Sequence, residues 1–255
     1  MSMTKAMRRD WDGRARKNAL HYIASWQKEW NLDAFLASGE EDYQRLVLPV
    51  LERCNISASG KAMVELGCGV GRMTPSFARR HERVLALDIS AEMLSRARQI
   101  HTEGNNVLWV RVDGVDLACL ASGSVDFVFS YLVLQHLPNE KLAFVYIQEL
   151  LRILRPGGAF LFQFNGSHKP TMNLRGRLAW SVVDALWSSK LVRLSRATAS
   201  LLGLDPATAG RSWRGAAIDP DTISELVHSK SGEIREMSGT NTPMTWCCGI
   251  KRFSD

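Results

Sequence analysis

The sequence predicts an α/β protein, a doubly wound, mostly parallel, seven-stranded Rossmann-like sheet with helices on both faces. Three observations carry this expectation. The apolar run Ala62–Leu66 leads into glycines at alternate positions, Gly67, Gly69 and Gly71, and then into Met73–Arg80, which can form a helix. Strand-like runs afterwards alternate with helical stretches, the pattern of parallel strands joined by crossover helices. Distinctive polar residues close several of those runs, at the carboxyl ends where open α/β sheets bind ligands.

The 255 residues suffice for one such domain with additions. At 45% hydrophobic and 23% charged, the composition is that of an ordinary globular protein. Met1–Lys17 is basic and has no apolar segment of a secretory signal. No run of about 18 apolar residues suggests a membrane span. Five cysteines are an odd number without metal-ligand spacing, so buried reduced thiols, a cytoplasmic location and no metal are expected.

Residues 1–60 read as an N-terminal helical cap. Arg14–Trp30 predicts a helix with Tyr22, Trp26 and Trp30 on one face. Further helices are expected over Leu32–Leu36 and Glu41–Cys54. The aromatic stripe either packs on the domain or caps a ligand and walls a substrate site.

Residues 61–165 form the core. Arg83–Asp88 is the second strand, and Ser90 is a good N-cap for a helix over Ala91–His101. Val107–Asp113 is the third strand. Val125–Leu132 is the fourth, apolar nearly throughout, as a strand buried on both faces should be. A helix over Asn139–Leu154 is stopped by Pro156-Gly157-Gly158, and Ala159–Phe164 is the fifth strand.

Residues 166–215 interrupt the alternation as a helical basic insert, with helices expected over Leu174–Trp187 and Lys190–Leu202. The insert holds eight Lys and Arg against Asp184 and Asp205, a surplus equal to the whole chain's +6. Such a patch suits nucleic acid, anionic lipid or an acidic substrate, or is a solvated face. Residues 216–255 complete the sheet. Asp219-Pro220 opens a helix to about Lys230, and Glu233–Met237 and Met244–Lys251 are the last strands.

The glycine spacing decides the ligand class. A dinucleotide turn reads G-x-G-x-x-G/A with pyrophosphate on the helix N-terminus. Here Gly71 comes one residue early and Arg72 stands at the close-packing position. A P-loop is absent. Glu65, two residues before Gly67, meets a cationic or hydroxyl-bearing ligand and repels a pyrophosphate. Asp88 lies 21 positions after Gly67, close to the spacing of an acid that grips a ribose cis-diol.

The run Glu65-x-Gly67-x-Gly69-x-Gly71, with Asp88, Asp113 and the turn Arg152-Ile153-Leu154-Arg155-Pro156-Gly157-Gly158, resembles the class I S-adenosylmethionine (AdoMet) methyltransferases, in particular their small-molecule, type 11-like domain. The resemblance covers residues 62–165 and, in part, 218–252. It implies strand order 3-2-1-4-5-7-6 with an antiparallel last strand. It also implies AdoMet as cofactor, held by Glu65, Gly67, Gly69, Gly71, Asp88, Ile89, Asp113, Gly114 and Ser130. Arg72 either pairs with the methionine carboxylate or is a solvated first-turn arginine.

Alignment does most of the work in methyl transfer, and a hydroxyl acceptor also needs a base. His136, in the loop after strand four that borders the methyl position in the resembled family, is the candidate; its alternative is a structural histidine. Tyr22, Trp26, Tyr131 and Trp213 are candidate acceptor contacts, with the insert as a lid. The expected activity is methylation of a small molecule with apolar and acidic parts, oxygen being the favoured acceptor. The alternatives are an RNA methyltransferase and a non-catalytic AdoMet-binding partner protein. No Asp/Asn/Ser-Pro-Pro-aromatic motif follows strand four, which argues against base methylation in DNA or RNA. Peripheral membrane contact and the oligomeric state stay open.

Overall fold

The computed structural model describes residues 3–102, 104–167, 178–179, 181–183, 185–186, 192–203 and 215–253. Its strands are β1 (Gly60–Leu66), β2 (His81–Asp88), β3 (Val107–Arg111), β4 (Val125–Ser130), β5 (Leu154–Phe164), β6 (Gly232–Ser238) and β7 (Thr245–Lys251). Among the described residues they form one seven-stranded sheet in the order β3-β2-β1-β4-β5-β7-β6. The first five strands run parallel, and β7 is antiparallel to both β5 and β6. This is the order and polarity that the family resemblance implies.

The sheet divides two cores. Alternate residues of each inner strand point to opposite faces. Val64 and Leu66 therefore join one cluster with Tyr146, Ile147 and Leu150, while Met63 joins another with Phe77 and Phe129. Cys247 and Cys248 fall on opposite sides in the same way. Cys54, Cys68, Cys247 and Cys248 are buried free thiols, as expected, whereas Cys119 is exposed.

The helices are α1 (Met3–Ile23), α2 (Leu32–Asp42), α3 (Leu48–Arg53), α4 (Thr74–Ala78), α5 (Ala91–Ile100), α6 (Glu140–Ile153), α7 (Val192–Leu201) and α8 (Pro220–Ser229). One π-helical turn, Tyr43–Val47, joins α2 to α3. Side-chain caps fix several starts: Ser90 accepts from Met93 N, Asn139 from Leu142 N, and Asp219 from Asp221 N ahead of Pro220.

The N-terminal helix departs from expectation. It begins at Met3 and ends at Ile23, so the predicted Arg14–Trp30 helix does not exist as such. The chain turns because better partners are available: Trp30 Nε1 donates to Ala24 O at 2.8 Å, and Asn31 caps α2. Trp26 and Trp30 then meet edge to face at 5.8 Å in the connection rather than on a helix face with Tyr22.

Strands three and four are shorter than predicted. β3 stops at Arg111, and Asp113 instead makes a turn, accepting from Val115 N at 2.7 Å. β4 stops at Ser130, and Leu132 takes a left-handed backbone, φ 58°. β5 starts earlier than Ala159: Leu154 pairs with Val125 across a register shift.

Of the insert, the predicted helix Lys190–Leu202 is present as α7. Of the predicted helix Leu174–Trp187, residues 178–179, 181–183 and 185–186 are described and are helical; its other residues, and Trp213, lie outside the described residues. Among the described residues no helix is long and apolar enough to cross a membrane.

Candidate active site

A cavity of about 480 Å³ lies at the carboxyl ends of β1, β2 and β4, bordered by Leu66, Asp88 and Phe129. The glycine turn forms one wall. Gly67 and Gly69 border the cavity with φ of 78° and 59°, a region that side-chain-bearing residues rarely adopt. A Cβ on Gly67 would run into Val133, and one on Gly69 into Ile23 of α1. The turn is therefore pressed between the loop after β4 and the N-terminal helix, and backbone atoms alone fit there.

Two carboxyl groups sit at this wall. Glu65, buried near the end of β1, accepts from Thr74 Oγ1 at 2.5 Å. Burial pushes its pKa up from 4.5 to about 7, against the opposing pull of Thr74 and Arg72. Asp88, the last residue of β2, accepts from Gly69 N at 2.9 Å through one oxygen and from Ser90 N at 2.8 Å through the other. Burial raises its pKa from 3.8 to about 6, although these backbone bonds favour the charged form. A third backbone bond, from Ile89, also favours the charged form, and Asp88 borders the cavity.

Arg72 is neither solvated nor held by the cavity alone. Its guanidinium is buried, pairs with Asp42 at 2.8 Å, donates to Ser38 O at 3.0 Å and lies over the Trp26 ring at 5.2 Å. It thereby ties α2 to the glycine turn, and Gly39 of α2 packs directly on the Arg72 backbone.

The rest of the cavity's lining is largely aromatic. Tyr131 stacks on Trp246 at 5.2 Å between centroids. His136, ending a 3₁₀ turn over Leu134–His136, meets Trp11 of α1 edge to face at 5.7 Å. Tyr22, Trp26 and Met244 belong to this lining, with Trp26 58% exposed at the mouth.

Of the predicted site residues, the fold brings Glu65, Gly67, Gly69, Arg72, Asp88, Ile89, Tyr22, Trp26, Tyr131 and His136 to this one cavity. Four others do not border it. Gly71 faces Trp109 and His101, shaping the turn from behind. Ser130 is fully buried and donates to Leu66 O at 3.4 Å. Asp113 is exposed in its turn, and Gly114 packs against Ile89. Met7, Trp11, Gln135 and Tyr146 border the cavity without having been predicted. Trp11 and Tyr22 lie on either side of Asn18, where α1 is kinked (φ −167°, ψ 90°), so helical spacing in the sequence does not signal that they border one cavity.

A methyltransferase-domain family model matches residues 64–162. Beyond that core, the chain is 33% identical over 175 residues to the ubiquinone biosynthesis O-methyltransferase of Xanthomonas oryzae pv. oryzae (strain PXO99A), covering 68% of this chain and 69% of that one. The chain belongs to the class I AdoMet-dependent methyltransferases. Another match, 37% identical over 122 residues, is to the biotin biosynthesis bifunctional protein BioHC of Cellvibrio japonicus (strain Ueda107). It takes in 48% of this chain and 22% of that much longer protein. Among solved structures, magnesium protoporphyrin IX methyltransferase from Synechocystis PCC 6803 with bound AdoMet shares the fold at a TM-score of 0.60, with 16% identity and 98% of each chain covered.

The residues present fit AdoMet, the cofactor of this methyltransferase. The cavity reaches the glycine turn at Gly67 and Gly69, and the carboxyls Glu65 and Asp88 beside it suit a cationic, diol-bearing ligand.

Proposed function

We propose that this methyltransferase acts on the oxygen of a small acceptor with an apolar body. One observation carries the reading: the glycine turn with Asp88 and the aromatic wall with His136 border the same cavity, so cofactor and acceptor would share one chamber. The O-methyltransferase named above supports oxygen as the atom modified.

When bound, AdoMet supplies a methyl group already activated by the sulfonium. The chain's own residues have the remaining tasks. Gly67 and Gly69 would receive the methionine moiety, Glu65 its ammonium group, and Asp88 the ribose hydroxyls, with Ile89 against the adenosine. Trp11, Tyr22, Trp26 and Tyr131 would hold the apolar body of the acceptor and exclude water. His136 would take the hydroxyl proton as the acceptor oxygen attacks; neutral imidazole suits that task near neutral pH. The basic insert would contribute where the acceptor carries an acidic group.

The test is a panel of hydroxyl, carboxylate, amine and RNA acceptors, assayed for S-adenosylhomocysteine release. Turnover confined to hydroxyl-bearing apolar compounds is expected. Turnover only with amines would replace oxygen by nitrogen, and turnover only with RNA would reassign the insert to nucleic-acid binding. AdoMet binding without turnover on any acceptor would favour a non-catalytic partner protein.

A further inference from the structure

We infer that Gln163 is a positioning residue that sets the proton on His136. Gln163 lies on β5 with its side chain fully buried, between the aromatic residues Phe162 and Phe164. A buried amide must satisfy its polar atoms, and here each partner has a fixed sense. Its Oε1 accepts from Leu132 N at 3.0 Å. Its Nε2 donates to Pro243 O at 2.7 Å and to Gln135 Oε1 at 2.9 Å. A backbone N–H can only donate and a carbonyl can only accept, so the Gln163 amide has one orientation.

That orientation propagates. With Gln135 Oε1 committed to Gln163, the Gln135 NH₂ group faces the His136 ring, 3.3 Å from its Nε2. An amide NH₂ can only donate, so His136 Nε2 must be the bare nitrogen and the neutral ring carries its proton on Nδ1. A histidine side chain in water favours the opposite tautomer. The same glutamine holds the N–H of Leu132, whose φ of 58° is strained for a residue with a branched side chain. One buried amide thus holds both the backbone at Leu132 and the side chain of Gln135, and Leu132, Gln135 and His136 all border the cavity.

For the proposed function, on which this catalytic consequence rests, the bare Nε2 is the atom that can take a proton. An acceptor hydroxyl would reach it by displacing the Gln135 amide from a long hydrogen bond.

The tautomer is measurable without any acceptor. Long-range proton–nitrogen correlation NMR on the ¹⁵N-labelled full chain with S-adenosylhomocysteine distinguishes the two ring nitrogens, and the His136→Asn variant identifies the signals. The native protein should show protonated Nδ1. Gln163→Glu keeps an acceptor for Leu132 N but attracts the NH₂ end of Gln135. The Gln135 amide should turn over and the ring should become protonated at Nε2. Gln135→Met, a change outside the sheet, should lose the native bias even if the Gln163 variant fails to fold. The Gln163 variant should also lose about tenfold or more in kcat with S-adenosylhomocysteine affinity unchanged. A native ring protonated at Nε2, or a tautomer unmoved by both substitutions, would overturn the inference. Tautomers that shift as expected while His136→Asn keeps full kcat would uphold the relay and remove only the base role of His136.

Discussion

The two walls of the cavity are built in different ways. The cofactor wall is nearly contiguous in sequence: Glu65, Gly67, Gly69 and Arg72 fall within one strand–turn–helix unit, and Asp88 ends the next strand. Much of its chemistry is backbone. The proposed acceptor wall collects Trp11 and Tyr22 from α1, Tyr131 and His136 from the loop after β4, and Met244 from just before β7. Its chemistry is carried by side chains that only the folded sheet brings together. A wall made of backbone and one short motif tolerates little change but can serve every acceptor. A wall made of scattered side chains can be rebuilt residue by residue, and that is where the proposed function puts acceptor choice.

The strongest test of this contrast is to damage each wall and read the other. On the acceptor side, His136→Ala should lower kcat by about 10²–10⁴-fold, the usual worth of general-base assistance, and leave S-adenosylhomocysteine affinity intact. Stopped-assay kinetics alongside calorimetry would check both halves, and full retention of kcat would reduce the site to alignment alone. On the cofactor side, in the proposed site, Asp88→Ala would remove two charge-assisted hydrogen bonds to the ribose, each worth about 1.5–3 kcal/mol. Cofactor affinity should fall by about 100-fold or more. An unchanged dissociation constant would take Asp88 out of the site.

A smaller effect comes from Glu65. Its pKa is raised from 4.5 to about 7, so the folded state binds this proton more tightly than the unfolded chain does. Stability from this group is therefore highest below pH 4.5 and falls as pH rises towards 7, by at most about 3 kcal/mol. Asp88 adds in the same direction between about 4 and 6. Denaturant melts of the protein without cofactor, at pH 5 and pH 7.5, should show Glu65→Gln gaining on the native protein at the higher pH. A pH-independent difference would mean that Glu65 is ionised throughout. Adding AdoMet, whose ammonium group favours the carboxylate, should release protons near pH 6–7, visible as buffer-dependent binding enthalpy.

The smallest expected change is at the mouth. Tyr131→Leu loses a stacked pair with Trp246, a contact worth about 0.5–1.5 kcal/mol. The acceptor KM should rise a few-fold while the cofactor dissociation constant holds. A matching loss in cofactor binding would show that the two walls are not separable.

Legibility followed the same division. Gly67, Gly69, Glu65 and Asp88 were readable because local spacing dictates where a strand, its turn and the next strand end must lie. Asp113 and Ser130 were misread in detail: each strand end was placed correctly to within a few residues, but one side chain folds back on its own turn and the other points into the sheet. Arg72 could be placed beside the glycines but not paired, because its partner Asp42 lies on another helix. Trp26 was assigned to a helix that ends at Ile23, since the capture of Ala24 O by Trp30 is a contact no periodicity reveals.

By itself, the sequence determined the alternation of strands and helices, the glycine turn at the end of the first strand and the acids near the strand ends; the sheet order was legible through the family that these motifs resemble. The motifs are short-range features, set by alternating apolar runs, glycines at a strand end and acids at fixed offsets. Only the tertiary structure decided that α1 closes the cavity with Trp11, that Asp42 engages Arg72, and that Gln163 reaches across Gln135 to His136. Each joins groups from separate elements, and a hydrogen bond or ring contact within about 3 to 6 Å depends on where the packed sheet sets those elements.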